Sequence, residues 1–425
     1  MILSKVLSIF SPRNNAGSPN GLTLGREASI FKRDIQLSPF ELCRHVAIQG
    51  RPGTGATFLM LEALRQQTAQ GGGWIYLDSR ADPETAKQLQ AHAIAAGRET
   101  DFACLNFDTQ PSDDDGPSSS SYSLLSYGTA EQVAARLLHT PAAPSGYAPG
   151  AEFYHQMGLR VLTAVIGILR TGGQPLSLQQ ITEALLQPTG LNCLVEGLPA
   201  SDPLAIEISE LKGYFPQGKE VFDGELLAQV TRGLAGRITA FTAPFAHVLD
   251  SSAPTVNMFD TLVNNKMLYI GAPVMSDNVA AIMLLKMLND DLQCALPAYA
   301  LAKADSPVRG NQLPFLIMCQ DPAVYARNLY AVSAQARAFG ISLWSNLHGP
   351  SRGLDMEGVL ANSATKILFS GSTIDAGTAP SAFDVPGLSQ KLARLPIGDF
   401  IVLRPGEAGA TEQKVERGRL RPLDR

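Results

Sequence analysis

A short apolar run, a glycine-rich turn and an amphipathic stretch follow one another between residues 45 and 67. That order restricts the fold more than any other part of the chain. His45-Val46-Ala47-Ile48-Gln49 leads into Gly50-Arg51-Pro52-Gly53-Thr54-Gly55-Ala56-Thr57, and apolar residues then recur at Phe58, Leu61 and Leu64. Strand, turn and helix in this sequence match the phosphate-cradling pattern G-x-x-x-x-G-K-[ST]. In that pattern glycines let backbone amides converge on an anion at the positive end of a helix. Gly50, Arg51, Gly53, Thr54, Gly55, Ala56 and Thr57 are therefore the candidate cradle for weakly bound ATP, with the Thr57 hydroxyl as a candidate magnesium ligand; a glycine turn that joins strand to helix and holds no ligand is the alternative. Ala56, however, stands where the pattern has the lysine that reaches the β and γ phosphates. Removing one preorganised charge of this kind costs roughly 10²–10³ in rate.

The rest of the pattern is strands alternating with helices. Trp74–Asp78, Phe102–Phe107, Lys266–Gly271, Pro314–Cys319, Ile341–Ser345 and Lys366–Phe369 read as buried strands, with Phe400–Leu403 as a closing edge strand. Helical spacing covers 57–67, 86–96 and 278–294. Such alternation predicts an α/β fold with a mainly parallel sheet covered on both faces. Between residues 129 and 231 helical periodicity takes over (131–138, 153–169, 178–186, 205–214), which predicts an all-α subdomain inserted into the α/β body. The expected divisions are a lead-in at 1–44, a first core part at 45–128, the insert at 129–231, a second core part at 232–405 and a tail at 406–425. Residues 11–28 read as a loop and 414–425 as a solvated basic end.

Composition narrows the class. The chain has 425 residues, 45% hydrophobic and 17% charged, which is globular and not disordered. A formal net charge of −5 argues against a protein that coats duplex DNA, while leaving room for a basic channel inside an assembly. The five cysteines are scattered and form no C-x-x-C pair, so they read as free thiols of a reducing cytosol. The apolar start, Met1 to Phe10, is too short to span a bilayer and reads as a segment that packs on the body or a partner.

Three further residues are site candidates. Asp321 ends the apolar 314–319 run, where it would hold magnesium or act as a base; a helix cap before Pro322 is the alternative. Arg337 would face a nucleotide edge or a neighbouring subunit, or else make a surface ion pair. His348 follows the 341–345 run in the place of a sensor, with a structural histidine as the alternative.

In this order the motifs resemble the cytosolic part of type IV secretion coupling proteins of the TraD/TraG/DotL kind, within the FtsK/HerA-like P-loop motors. The similarity runs through His45–Thr57, Gly72–Asp82, Phe102–Phe107, Gly233–Ile238, Lys266–Pro273, Tyr325–Trp344 and Ala361–Leu368. It implies a RecA-like P-loop core carrying an all-alpha domain, assembly into a hexameric ring, and delivery of DNA or protein to a secretion channel. It also implies a cytoplasmic bacterial protein at the periphery of an inner-membrane complex. Implied partners are ring subunits, type IV secretion components, and DNA or the relaxosome, with the membrane reached only through them. The departures are Ala56 for the lysine, Gln320-Asp321 for an Asp-Glu pair, and His348 for a glutamine sensor. The family's membrane-spanning N-terminal region has no counterpart in the sequence. These departures point to a pseudo-ATPase with a structural or regulatory part in substrate transfer. Two other readings stand beside it: an active DNA-translocating ATPase in which Arg51 or a neighbour's cation replaces the lysine, and a partner-binding scaffold acting through the helical insert.

Overall fold

A computed structural model describes residues 21–108, 117–138, 151–172, 176–186, 198–214, 225–249, 253–274, 278–303, 313–321, 332–333, 336–347, 358, 360–371, 387–405 and 413–421. Its centre is one eleven-stranded sheet. The strands are β1 (Leu22–Glu27), β2 (Asp34–Leu37), β3 (Val46–Gln49), β4 (Trp74–Asp78), β5 (Phe102–Asn106), β6 (Met267–Gly271), β7 (Phe315–Gln320), β8 (Ile341–Leu347), β9 (Thr365–Phe369), β10 (Asp399–Pro405) and β11 (Gln413–Arg419). Their spatial order is β2-β1-β11-β10-β9-β3-β8-β7-β4-β6-β5. From β9 to β5 every neighbouring pair is parallel, and from β9 to β2 every pair is antiparallel.

The parallel strands carry nearly unbroken apolar runs because both faces are covered. Side chains alternate across β4: Trp74 and Tyr76 join one apolar cluster, Ile75 and Leu77 the other. The first cluster packs α1 (Ala56–Ala69) and α2 (Pro83–Ala95) on the sheet through Leu59, Met60, Leu64, Leu89 and Ala93. The second takes in α3 (Ala130–Leu137), α4 (Ala151–Thr171), α5 (Leu178–Leu186), α7 (Glu225–Thr242), α8 (Met258–Val263) and α9 (Asn278–Lys303), while α6 (Pro203–Tyr214) packs on α4. Between β5 and β6 the described regular elements are all helical, and their apolar residues Val161, Ile166, Ile181 and Ile238 belong to the same cluster as Ile75 and Ile270 of the sheet.

A buried ionic group fastens these helices. Arg136 of α3 meets Asp291 of α9 at 2.9 Å, with both side chains almost fully enclosed. Arg136 also donates to the carbonyls of Leu124 and Tyr127, and Tyr122 donates its hydroxyl to Asp291. Burial pushes the Asp291 carboxyl up to about 6, against the downward pull of Arg136 and the Tyr122 hydrogen bond.

The sheet margin departs from expectation. Residues 22–27 are not loop: Leu22 and Leu24 alternate inward, and β1 pairs with both β2 and β11. Residues 413–419 are not a solvated tail, because β11 pairs with β10 across seven residues. Phe400–Leu403 consequently lies inside the sheet, and β2 and β5 are its edges. The helix expected at 278–294 continues through Pro297 to Lys303.

Candidate nucleotide loop

Parallel pairing to β8 and β9 buries all four residues of β3 and brings its carboxyl end to the loop. A Cβ at Gly50 would lie 2.6 Å from Cβ of Phe369, so only glycine lets the chain pass β9 here. Gly53 and Gly55 have φ of +79° and +114°, in the left-handed region that glycine tolerates. Thr54 donates its hydroxyl to the Arg51 carbonyl at 2.7 Å and closes the turn from within. Two outside contacts hold it: Arg51 N–H donates to the Ser370 carbonyl (3.1 Å) and Gly398 N–H to the Thr54 carbonyl (3.1 Å). No side chain caps the start of α1, whose N-cap is Gly55. The space beside Gly53 is open, whereas a Cβ at Gly55 would sit 2.5 Å from Cδ1 of Leu420. The glycine turn is therefore open at Gly53 and roofed at Gly55.

The cations do not follow the pattern. Ala56 is buried among the apolar residues under α1. Arg51 lies folded over Gly371, where a Cβ would collide with its Nε, just past the end of β9 that packs on the loop. Lys366 is buried on β9, its charge disfavoured by burial, but Ile367 and Phe369 face α1 and the alternation puts Lys366 on the other face.

At the magnesium side the structure brings together Thr57, Gln320 and Asn346. Gln320 Nε2 donates toward Thr57 Oγ1 at 3.5 Å, the outer limit of a hydrogen bond, and Asn346 Nδ2 donates to Gln320 Oε1 at 3.0 Å. Gln320 and Asn346 are buried, and Asn346 Oδ1 has no partner among the described residues. A hard cation takes oxygen ligands and is held by carboxylates. The hydroxyl of Thr57 instead meets a neutral amide, and no carboxylate joins it among the described contacts, so this set lacks the anionic oxygen that usually holds magnesium. Among the described residues no cluster of three or more His, Cys, Asp or Glu could hold a metal.

Asp321 is one residue beyond. Its φ is +50° and its N–H donates to the Asn346 carbonyl at 3.0 Å; no described contact joins its carboxylate to Thr57. Arg337 opens the turn that leads into β8, so it lies at the amino ends of the parallel strands, the edge opposite the loop. Its charge is felt there by Cys43 and His45. It does not reach the loop of its own chain. His348 lies outside the described residues, as do Pro322 and the proposed cap.

Two groups were not singled out from sequence. His45 is buried; its Nδ1 accepts from Leu343 N–H at 3.0 Å and its Nε2 lies 2.8 Å from the Ser333 carbonyl, which fixes the neutral ring with the proton on Nε2. Burial holds its pKa below the ordinary value, with the nearby Arg337 adding to the effect. Asp78 at the end of β4 is fully buried and accepts from the Arg80 and Asp82 amides and the Tyr269 hydroxyl. Polar residues ending otherwise apolar strands are the signal that points to both Asp78 and Asn346.

Among the described residues no helix is long and apolar enough to cross a membrane. No family model matches the chain. In sequence it is 21% identical over 371 residues to the type 4 coupling protein DotL of Legionella pneumophila, covering 77% of this chain and 47% of that one. The chain thus spans about half the length of this curated relative. In fold it is similar to the plasmid coupling protein TrwB bound to the GTP analogue GDPNP (TM-score 0.56, 15% identity, 96% of both chains), and to the unbound bacterial conjugative coupling protein TrwB (0.56, 15%, 93% and 89%). TrwB is also known in complex with ADP and Mg2+ and with the ATP analogue ADPNP. VirB4 of Thermoanaerobacter pseudethanolicus is a further neighbour (0.50, 13%, 95% and 97%). The mainly parallel sheet with its flanking helices thus has the RecA-like P-loop fold seen in TrwB, and the sequence is similar to that of the type 4 coupling protein DotL.

Proposed function

We propose that this protein is a component of a type IV secretion or conjugative apparatus that keeps the form of a coupling ATPase without its turnover. It takes a place in a ring of similar subunits on the cytoplasmic side of the apparatus, with a structural or regulatory part in passing DNA or protein substrates. The helices between residues 129 and 231 act as its inserted all-α domain. The relation to DotL and the likeness to TrwB support the setting. The observation that carries the loss of turnover is the Thr57–Gln320–Asn346 chain, an uncharged amide relay at the place where magnesium and its carboxylates would act. Ala56 removes the lysine that would stabilise a departing phosphate.

Phosphate release by the purified chain with Mg-ATP and single-stranded DNA tests this. The expected rate equals the buffer background and is the same in Thr57→Ala. Turnover well above background that Thr57→Ala abolishes would overturn the reading.

A further inference from the structure

Thr57 opens onto a groove of about 580 Å³ between the amino ends of α1 and α2. Its walls are Thr57, Phe58 and Leu61 on one side and Arg80, Asp82, Glu84, Thr85, Lys87 and Gln88 on the other. Four of these carry charge, and three of the four pair within α2 or its cap. Asp82 caps α2, accepting from the Glu84 amide at 3.3 Å and the Thr85 hydroxyl at 2.6 Å. Lys87 and Glu84 pair with each other at 3.1 Å across the surface of α2.

Arg80 differs. Its Nε lies 3.5 Å from the carboxylate of Asp78, and about half of its side chain is exposed while Asp78 is fully enclosed. Asp78 is in turn fixed by two backbone amides and by Tyr269. The guanidinium is thus held at its inner edge by a rigid buried anion and turned outward into the groove that the loop threonine shares. An arginine so oriented presents a planar fork of donors suited to phosphate oxygens.

We infer that Arg80 is the phosphate-binding cation of this protein, and that the groove holds the distal phosphates of a nucleoside triphosphate without a divalent metal. This rests on the proposed reading of the loop as a nucleotide site that does not turn over. Arg80 and Thr57 line the same groove at the start of α1, directly after the glycine loop. A guanidinium there supplies the charge that neither Ala56 nor the amide relay provides. Two positive charges are not needed, because a bound nucleotide that does not react requires neutralisation of its ground state alone.

The test is calorimetric titration of the full chain with ATP and ADP, each in EDTA and in excess Mg2+. The wild-type protein is expected to bind ATP in EDTA, and to prefer it to ADP. Arg80→Gln is expected to lose at least about tenfold in ATP affinity, with Arg80→Lys recovering part of it. Lys303→Gln, which removes a cation at the carboxyl end of α9 and outside the groove walls, is expected to bind as wild type. Thermal unfolding of the same variants without nucleotide checks that each is folded. ATP binding by Arg80→Gln equal to wild type, absence of binding by the wild type, or binding that requires Mg2+ would each overturn the inference. Absence of binding leaves the non-hydrolysing reading intact. Arg80-dependent binding accompanied by phosphate release would uphold the inference and overturn that reading instead.

Discussion

Gln320 on β7 reaches Thr57 at the start of α1, amide nitrogen to hydroxyl oxygen at 3.5 Å, and joins the glycine loop to a strand two places away in the sheet. The contact is neutral, and Asn346 from the intervening strand β8 completes it. An acidic residue in the same place would be enclosed and would need a cation. Gln320→Asp is therefore expected to lower the apo stability by about 1–3 kcal/mol, the usual cost of a buried polar group without its partner. Millimolar Mg2+ is expected to return part of it, since a ligand that binds only the folded state stabilises it. Urea unfolding in EDTA and in Mg2+ checks both; wild-type stability in both media counts against the assignment.

Gly55 combines a φ of +114° with Leu420 2.5 Å from where a methyl would stand. Gly55→Ala is expected to destabilise the protein by about 1–3 kcal/mol, because the left-handed conformation and the collision add. Pairing it with Leu420→Ala is expected to recover the steric part only. Chemical denaturation of the single and double variants separates the two contributions.

Asp291 is the buried carboxylate that pairs with Arg136. Asp291→Asn leaves the guanidinium enclosed and uncompensated, for an expected loss of about 3–5 kcal/mol. Replacing Arg136 and Asp291 together by apolar residues is expected to cost much less. Equal losses in the single and double variants, measured by urea unfolding, would contradict a coupled pair.

His45 contributes a pH dependence of definite sign. Its folded pKa lies below the ordinary value of 6.5, so the unfolded chain binds the proton more readily. The contribution of His45 is fully present above pH 6.5 and declines as the solution is acidified below it. His45→Asn keeps a residue that tolerates the φ of +61° but loses the ring. Between pH 7.5 and 5.5 the melting temperature of the wild type is expected to fall more than that of His45→Asn. Asp291 acts in the opposite direction, its raised pKa making the folded state the better proton acceptor between about 4 and 6. The difference between the two melting profiles isolates the histidine.

The parallel half of the sheet was legible because its strands are apolar on both faces and bounded by glycine and polar turns. Trp74–Asp78 and Phe315–Gln320 sit almost where their sequence places them. The margin was not, because β1 offers only Leu22 and Leu24 to the core, and β11 (Gln-Lys-Val-Glu-Arg-Gly-Arg) has largely exposed side chains that read as a solvated end. Pairing to β10, not burial, makes it a strand, and pairing has no local signature. At the site the glycines and Thr57 were readable as a motif. The roles of Gln320 and Arg80 were not, because each depends on a neighbour far away in sequence: Thr57 with Gln320, and the groove wall of α1 with Arg80.

β1 has its partner β11 at the opposite end of the described chain, and Leu420, just past β11, donates its amide to Gly398, whose own amide holds Thr54. During synthesis the β1–β2 hairpin must wait until β11 has been made before it can dock, and the glycine turn acquires its clamp at the same late moment. A nascent chain stalled before Gln413 would expose an unsatisfied sheet border along β10, which makes that stage the one at which chaperone protection matters most.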